Sequence, residues 1–167
     1  PFLERRDLII QEKSGTGKTS AFSIPCIEHI VRYAKSKKIP INRVRQPRVL
    51  VISPTRDLSL QTSKVIESLG QFVDGFTINN CTGGISVRDN INTFKKGCQL
   101  VCGTPGRIIH MIKDRHFDSY QIDIIVLDEA DELLKKNFKD QIYKILESLD
   151  GDKVQVALFS ATMPEEV

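Results

Sequence analysis

The segment QEKSGTGKTSAF occupies residues 11–22 and joins an apolar run, DLIIQ (7–11), to an amphipathic run that reaches residue 34. Small residues followed by lysine and threonine have a specific use between a strand and a helix. Gly15 and Gly17 let the backbone curl until successive N–H groups face one point, and the helix start adds positive potential there. Ser14, Gly15, Thr16, Gly17, Lys18 and Thr19 together suit the phosphates of a nucleotide, with Lys18 neutralising outer phosphate oxygens and the Thr19 hydroxyl able to ligate Mg²⁺. One position departs from the GxxxxGK[ST] pattern, because Glu12 stands where its first glycine belongs.

The alternation continues along the chain. Runs rich in Val and Ile recur at RVLVIS (48–53), FTINNC (76–81), QLVCG (99–103), DIIVLD (123–128) and VQVALF (154–159). Amphipathic stretches separate them at 56–70, 86–96, 106–115 and 137–149, the last with Phe138, Ile142, Ile145, Leu146 and Leu149 on one side. Continuous apolar strands are usually buried on both faces, and strand, helix, strand repetition implies a parallel sheet with helices on both faces. The expected fold is one α/β domain over 1–167. Right-handed crossovers gather the carboxyl ends of the strands along one edge, where open α/β sheets bind ligands. A polar cluster follows every predicted strand, so all six clusters are expected on that edge.

Each cluster has its own chemistry. VLDEAD brings Asp128 to the end of an apolar strand, towards a metal, and places Glu129 to polarise an attacking water. Asp123, Asp128, Glu129, Asp131 and Glu132 form an acidic group of five with no base among them. A solvated helix start would also favour acids there. PTRDL, TGG and TPGRI supply hydroxyls, helix N-termini, exposed backbone N–H groups and an Arg each in the first and third. Such groups suit phosphate and ribose rather than base edges, although each alone is also an ordinary turn or helix cap. SAT (160–162) would lie beside the Asp128–Asp131 turn, where its hydroxyls can reach Asp131 and couple the nucleotide site to a moving part.

Bulk properties narrow the setting. The chain is 40% hydrophobic and 27% charged, and no apolar run approaches the roughly 20 residues of a membrane span. The start, PFLERRDLII, does not resemble a signal peptide, which points to a cytoplasmic or nuclear protein without a membrane partner. Cys26, Cys81, Cys98 and Cys102 lack CxxC spacing and read as reduced core thiols. A net charge of +3 is too small to argue nucleic-acid binding, but residues 32–48 carry seven basic side chains and no acidic one. That run reads as a solvated loop or as an RNA or partner contact.

SGTGKT, PTRDL, TGG, TPGRI, DEAD and SAT, in this order and spacing, resemble the first RecA-like domain of the DEAD-box RNA helicases, over nearly the whole chain. VLDEADELL, NFKDQIYKIL and SATMPEEV look most like the translation initiation factor four-A-like subgroup. The resemblance implies a RecA-like P-loop NTPase domain that uses ATP and Mg²⁺, with Lys18 and Thr19 as phosphate and Mg²⁺ ligands, Asp128 as the Mg²⁺-water anchor and Glu129 as catalytic base. It implies RNA-backbone contacts from Pro54, Thr55, Arg56, Gly83, Gly84, Thr104, Pro105, Gly106 and Arg107, the last helix acting as a wedge that bends RNA. It also implies interdomain coupling through Asp131, Ser160 and Thr162. An adenine-reading Q motif is expected upstream of Pro1 and a second RecA-like domain beyond Val167. Without the latter's arginine finger the isolated chain should be nearly inactive, and a scaffold or translation-factor partner is possible. Asp57 replaces the Glu of PTREL. Two other readings remain open: a non-hydrolysing RNA-binding or protein-interaction module whose nucleotide site Glu12 weakens, and a DNA-directed or transport ATPase of the same fold.

Overall fold

The computed structural model describes residues 1–13, 15 and 17–162. Six strands form one fully parallel sheet: β1 (Leu8–Gln11), β2 (Val49–Ile52), β3 (Ile78–Cys81), β4 (Leu100–Gly103), β5 (Ile124–Asp128) and β6 (Gln155–Ser160). Their spatial order is β1-β6-β5-β2-β4-β3. The helices are α1 (Lys18–Ser36), α2 (Arg56–Gly70), α3 (Val87–Lys96), α4 (Pro105–Lys113), α5 (Ala130–Leu133) and α6 (Lys136–Glu147).

Alternation along the strands builds two cores. Val49, Val51, Ile124 and Val126 pack with Phe22, Cys26, Ile30 and Ile66 on the α1–α2 face. Leu50, Ile52, Ile125 and Leu127 point the other way and pack with Phe94, Ile108, Met111, Ile142 and Ile145 from α3, α4 and α6. Apolar residues on both faces explain why β2 and β5 read as unbroken hydrophobic runs. The outer strand β1 is less covered, and Ile9 remains 59% exposed.

Two local contacts aim the edge. Phe22, one turn into α1, meets Phe159 of β6 edge-to-face with ring centroids 5.1 Å apart, pinning the helix start against the sheet. The Glu12 N–H donates to the Ser160 carbonyl at 3.0 Å, extending the β1–β6 ladder into the phosphate loop. All four cysteines are buried and unbridged, and burial pushes the Cys98 thiol up to about 12. Among the described residues, no helix is long and apolar enough to cross a membrane.

Candidate functional site

The glycine loop, the end of β5 and the start of α2 converge on a cleft of about 480 Å³ at the carboxyl edge. Gly15, Gly17, Lys18, Thr19, Asp128, Glu129 and Asp131 all line it. Gly15 and Gly17 have φ of 83° and 90°, and a Cβ at either would meet nothing within 4 Å. Backbone conformation, rather than crowding, therefore calls for glycine, and the loop faces open space. Lys18 Nζ donates to the Glu12 carbonyl at 2.7 Å. Ser14 and Thr16 lie outside the described residues.

Asp128 is 5% exposed. Its Oδ1 accepts the Glu129 N–H at 3.1 Å and its Oδ2 accepts the Thr62 hydroxyl at 3.4 Å. Burial, then the neighbouring Glu129 charge, pushes its carboxyl up to about 6 against the pull of those hydrogen bonds and of Lys18. A buried carboxylate in this condition gains strongly from a nearby cation. Oxygen donors at Asp128 and Thr19 lining the same open cleft fit Mg²⁺ held jointly with a nucleotide. Glu129 takes the left-handed conformation (φ 52°), which turns the chain sharply between β5 and α5 and leaves its side chain exposed at the cleft.

SAT lies where its order in the sequence suggests. Thr162 Oγ1 donates to Asp131 Oδ2 at 2.5 Å, and Ser160 Oγ donates to the Thr162 carbonyl at 2.5 Å. Burial raises the Asp131 carboxyl, but hydrogen bonds from Thr162 and Ser160 and from the backbone outweigh it and hold it below its ordinary value. The end of β6 is thus tied to the turn after β5.

The other clusters continue the same edge. Pro54 is buried, Thr55 caps α2 by accepting the Leu58 N–H at 3.3 Å, and Arg56 is exposed. A Cβ on Gly84 would meet the Arg56 guanidinium at 2.3 Å, so the TGG turn runs directly beneath that side chain. Gly83 is exposed with nothing within 4 Å of a Cβ. Pro105 occupies the first turn of α4, Thr104 makes no side-chain cap bond, and Gly106 is exposed. Arg107 turns inward instead, donating from Nη1 to the Ile85 carbonyl and to Asn90 Oδ1, both at 2.8 Å.

Two groupings drawn from sequence proximity come apart. Asp123 is at the amino end of β5, away from the cleft, where Arg48, His29 and Lys153 contact its carboxylate at 2.8–3.0 Å. The basic run 32–48 also disperses: Arg32 pairs with Glu28, Arg45 donates to the Lys95 carbonyl, and Arg48 is buried against Asp123 with its guanidinium 4.0 Å from the Tyr33 ring centroid. Since α1 starts at the carboxyl edge and crosses back over the sheet, this run belongs to the opposite edge. Conversely, Gln61 and Thr62 line the cleft from α2, one or two helical turns beyond PTR, and no motif pointed to them. A polar pair within the apolar stripe of α2 was their one trace in the sequence.

The DEAD/DEAH box helicase family profile matches residues 1–167. The chain is 42% identical over its whole length to an ATP-dependent RNA helicase eIF4A of Lodderomyces elongisporus, of which it spans 39%. It is 43% identical over 162 residues to an ATP-dependent RNA helicase FAL1 of Candida albicans, covering 97% of this chain and 38% of that protein. A DEAD box protein from the hyperthermophile Methanococcus jannaschii superposes with a TM-score of 0.84 at 33% identity, over 99% of this chain and 42% of the other. The chain belongs to the DEAD/DEAH box helicase family, and its fold is the RecA-like domain of those proteins. The resemblance to the initiation factor four-A subgroup holds among these relatives, of whose length the chain spans about two-fifths.

Proposed function

We propose that this domain is the Mg²⁺-ATP-binding half of an ATP-dependent RNA helicase, contacting RNA through its phosphate backbone and hydrolysing ATP only when a second RecA-like domain completes the site. The observation that carries this reading is the convergence of Lys18, Thr19, Asp128 and Glu129 on one cleft in which the buried Asp128 carboxyl is pushed up to about 6.

The N–H groups of the glycine loop and the α1 N-terminus bind phosphates, and Lys18 exchanges the Glu12 carbonyl for a phosphate oxygen. Thr19 and Asp128 would hold Mg²⁺, which neutralises phosphate charge when bound. Glu129 orients and deprotonates the attacking water. Asp131, through Thr162 and Ser160, transmits the state of the cleft to the end of β6 and from there to the partner domain. Pro54, Thr55, Arg56, Gly83, Gly84, Thr104, Pro105 and Gly106 line the edge as a backbone track without base readout, supported by Arg107. ATP hydrolysis by the full-length protein, measured with and without single-stranded RNA, tests this. Stimulation by RNA supports the reading; RNA binding without turnover points to a non-hydrolysing clamp, and stimulation by DNA alone to a different ATPase.

A further inference from the structure

The TGG turn is held from beneath by a buried amide. Asn90 of α3 is 1% exposed, and its Nδ2 donates to Asn79 Oδ1 at 2.9 Å and to the Asn80 carbonyl at 2.8 Å. Asn79 Nδ2 returns a bond to the Asn90 carbonyl at 3.0 Å. The Asn90 Oδ1 accepts Arg107 Nη1, which also donates to the Ile85 carbonyl. The orientation of the amide is fixed by its partners, since a guanidinium only donates and both groups facing Nδ2 only accept. Asn80 precedes the turn, Ile85 follows it, and Arg107 comes from the first turn of α4. Asn90 and Arg107 together thus join both ends of the turn to the helix whose N-terminus follows β4.

We propose that Asn90 is a positioning residue for RNA: acting through Arg107, it sets the spacing between the Gly83-Gly84 turn and the N-terminus of α4. This rests on the RNA-backbone reading above. Two phosphates of one strand can be met together only if these segments keep a fixed separation, and main-chain N–H groups have no side-chain freedom to correct an error. The Arg56 guanidinium packs against Gly84, so the turn is also contacted by a side chain from α2. The chemistry distinguishes positioning from direct contact. Losing a cation bound to phosphate reduces the salt slope of binding by about 1, whereas losing spacing weakens affinity and leaves the count of neutralised phosphates unchanged.

The test uses the full-length protein with labelled oligouridine, Mg²⁺ and a non-hydrolysable ATP analogue, titrated at several salt concentrations. Asn90→Ala is expected to weaken RNA binding about tenfold, with the wild-type salt slope. Asn90→Asp keeps the acceptor for Arg107 but sets an oxygen against the two acceptors at Asn79 and Asn80, so it should recover only part of that loss. In an Arg107→Ala background, Asn90→Ala should add nothing further. ADP affinity of each variant reports whether the domain is folded. If Asn90→Ala does not fold, Arg107→Gln carries the test, since it should weaken binding at unchanged slope. Wild-type RNA affinity in Asn90→Ala overturns the proposal, as does a slope reduced by about 1 in Arg107→Gln. Equal loss of RNA and ADP affinity in Asn90→Ala overturns it in favour of a purely structural amide. Absence of RNA binding by the wild type overturns the RNA reading itself, and this inference with it.

Discussion

Two aspartates close the two ends of β5, 3% and 5% exposed, and their surroundings treat them oppositely. At the amino end, Asp123 receives Arg48, His29 and Lys153, while Arg5 donates to its carbonyl at 3.1 Å. Burial alone would raise its carboxyl, but His29, Lys153 and Arg48 prevail and hold it well below the usual carboxylate range. At the carboxyl end, Asp128 has a hydroxyl, a backbone N–H and a repelling neighbour, Glu129. Equal burial therefore carries opposite meanings. A compensated carboxylate locks elements together, whereas one that burial and a like charge outweigh gains from a further cation.

The contrast fails first if the site end does not behave as chemistry. In the full-length protein, Glu129→Gln should lower RNA-stimulated turnover by roughly 10² or more, the range for removing a general base, and leave ATP affinity nearly intact. Lys18→Ala should instead weaken ATP binding by about tenfold or more, through loss of a charge-assisted contact. Turnover assays paired with nucleotide titrations separate the two, and matching losses of affinity would erase the assigned roles.

The other end should behave as structure. Asp123→Asn leaves Arg48 buried without its counter-charge and is expected to cost about 3 kcal/mol, read by urea denaturation. ATP affinity should stay close to wild type. The same variant gives a pH signature. Because the folded carboxyl of Asp123 is depressed, its contribution is fully present above the unfolded value near ~3.9 and is lost as pH falls through the folded one. The stability gap between wild type and Asp123→Asn should thus be widest near neutrality and narrow below about pH 4.

Glu12 provides the smallest expected effect. Its N–H and carbonyl serve the β1–β6 ladder and Lys18, and its side chain is exposed. Solvent screens that carboxylate from bound phosphates, so Glu12→Ala should tighten ADP binding by only a few-fold, on the order of 1 kcal/mol or less. Calorimetric titration checks this, and a change of a hundredfold would place the charge inside the site.

These contrasts also show where sequence reading reached and where it stopped. Every strand lies within a residue or two of its apolar run, because β-branched side chains facing two cores leave a local record. Five helices follow their amphipathic stretches, whereas α5 is four residues long, too short to show a period. The meeting of the glycine loop with the end of β5 was legible because each follows a strand at fixed local spacing. Asp123 joined the acidic group only by proximity in sequence. Its partners come from residues 29, 48 and 153, and no local pattern announces contacts so distant. The burial of Arg48 within the basic run was hidden for the same reason, since its partner Asp123 comes 75 residues later. Asn90 stood on a polar helix with nothing to mark it as the support of Arg107.

Thermal melting of wild type and Asp128→Asn, with and without Mg²⁺-ADP, bears most directly on the claim that Asp128 is a buried charge awaiting a cation. Without ligand at neutral pH, the variant should melt at or above the wild-type temperature, because it removes a charge that burial and Glu129 disfavour more than its hydrogen bonds and Lys18 favour it. Ligand at about a hundred times its dissociation constant should stabilise the wild type by roughly 2.7 kcal/mol, or about 5–10 °C, and the variant far less. A variant that melts well below wild type and still gains the full ligand shift would contradict the account, making Asp128 a structural residue like Asp123.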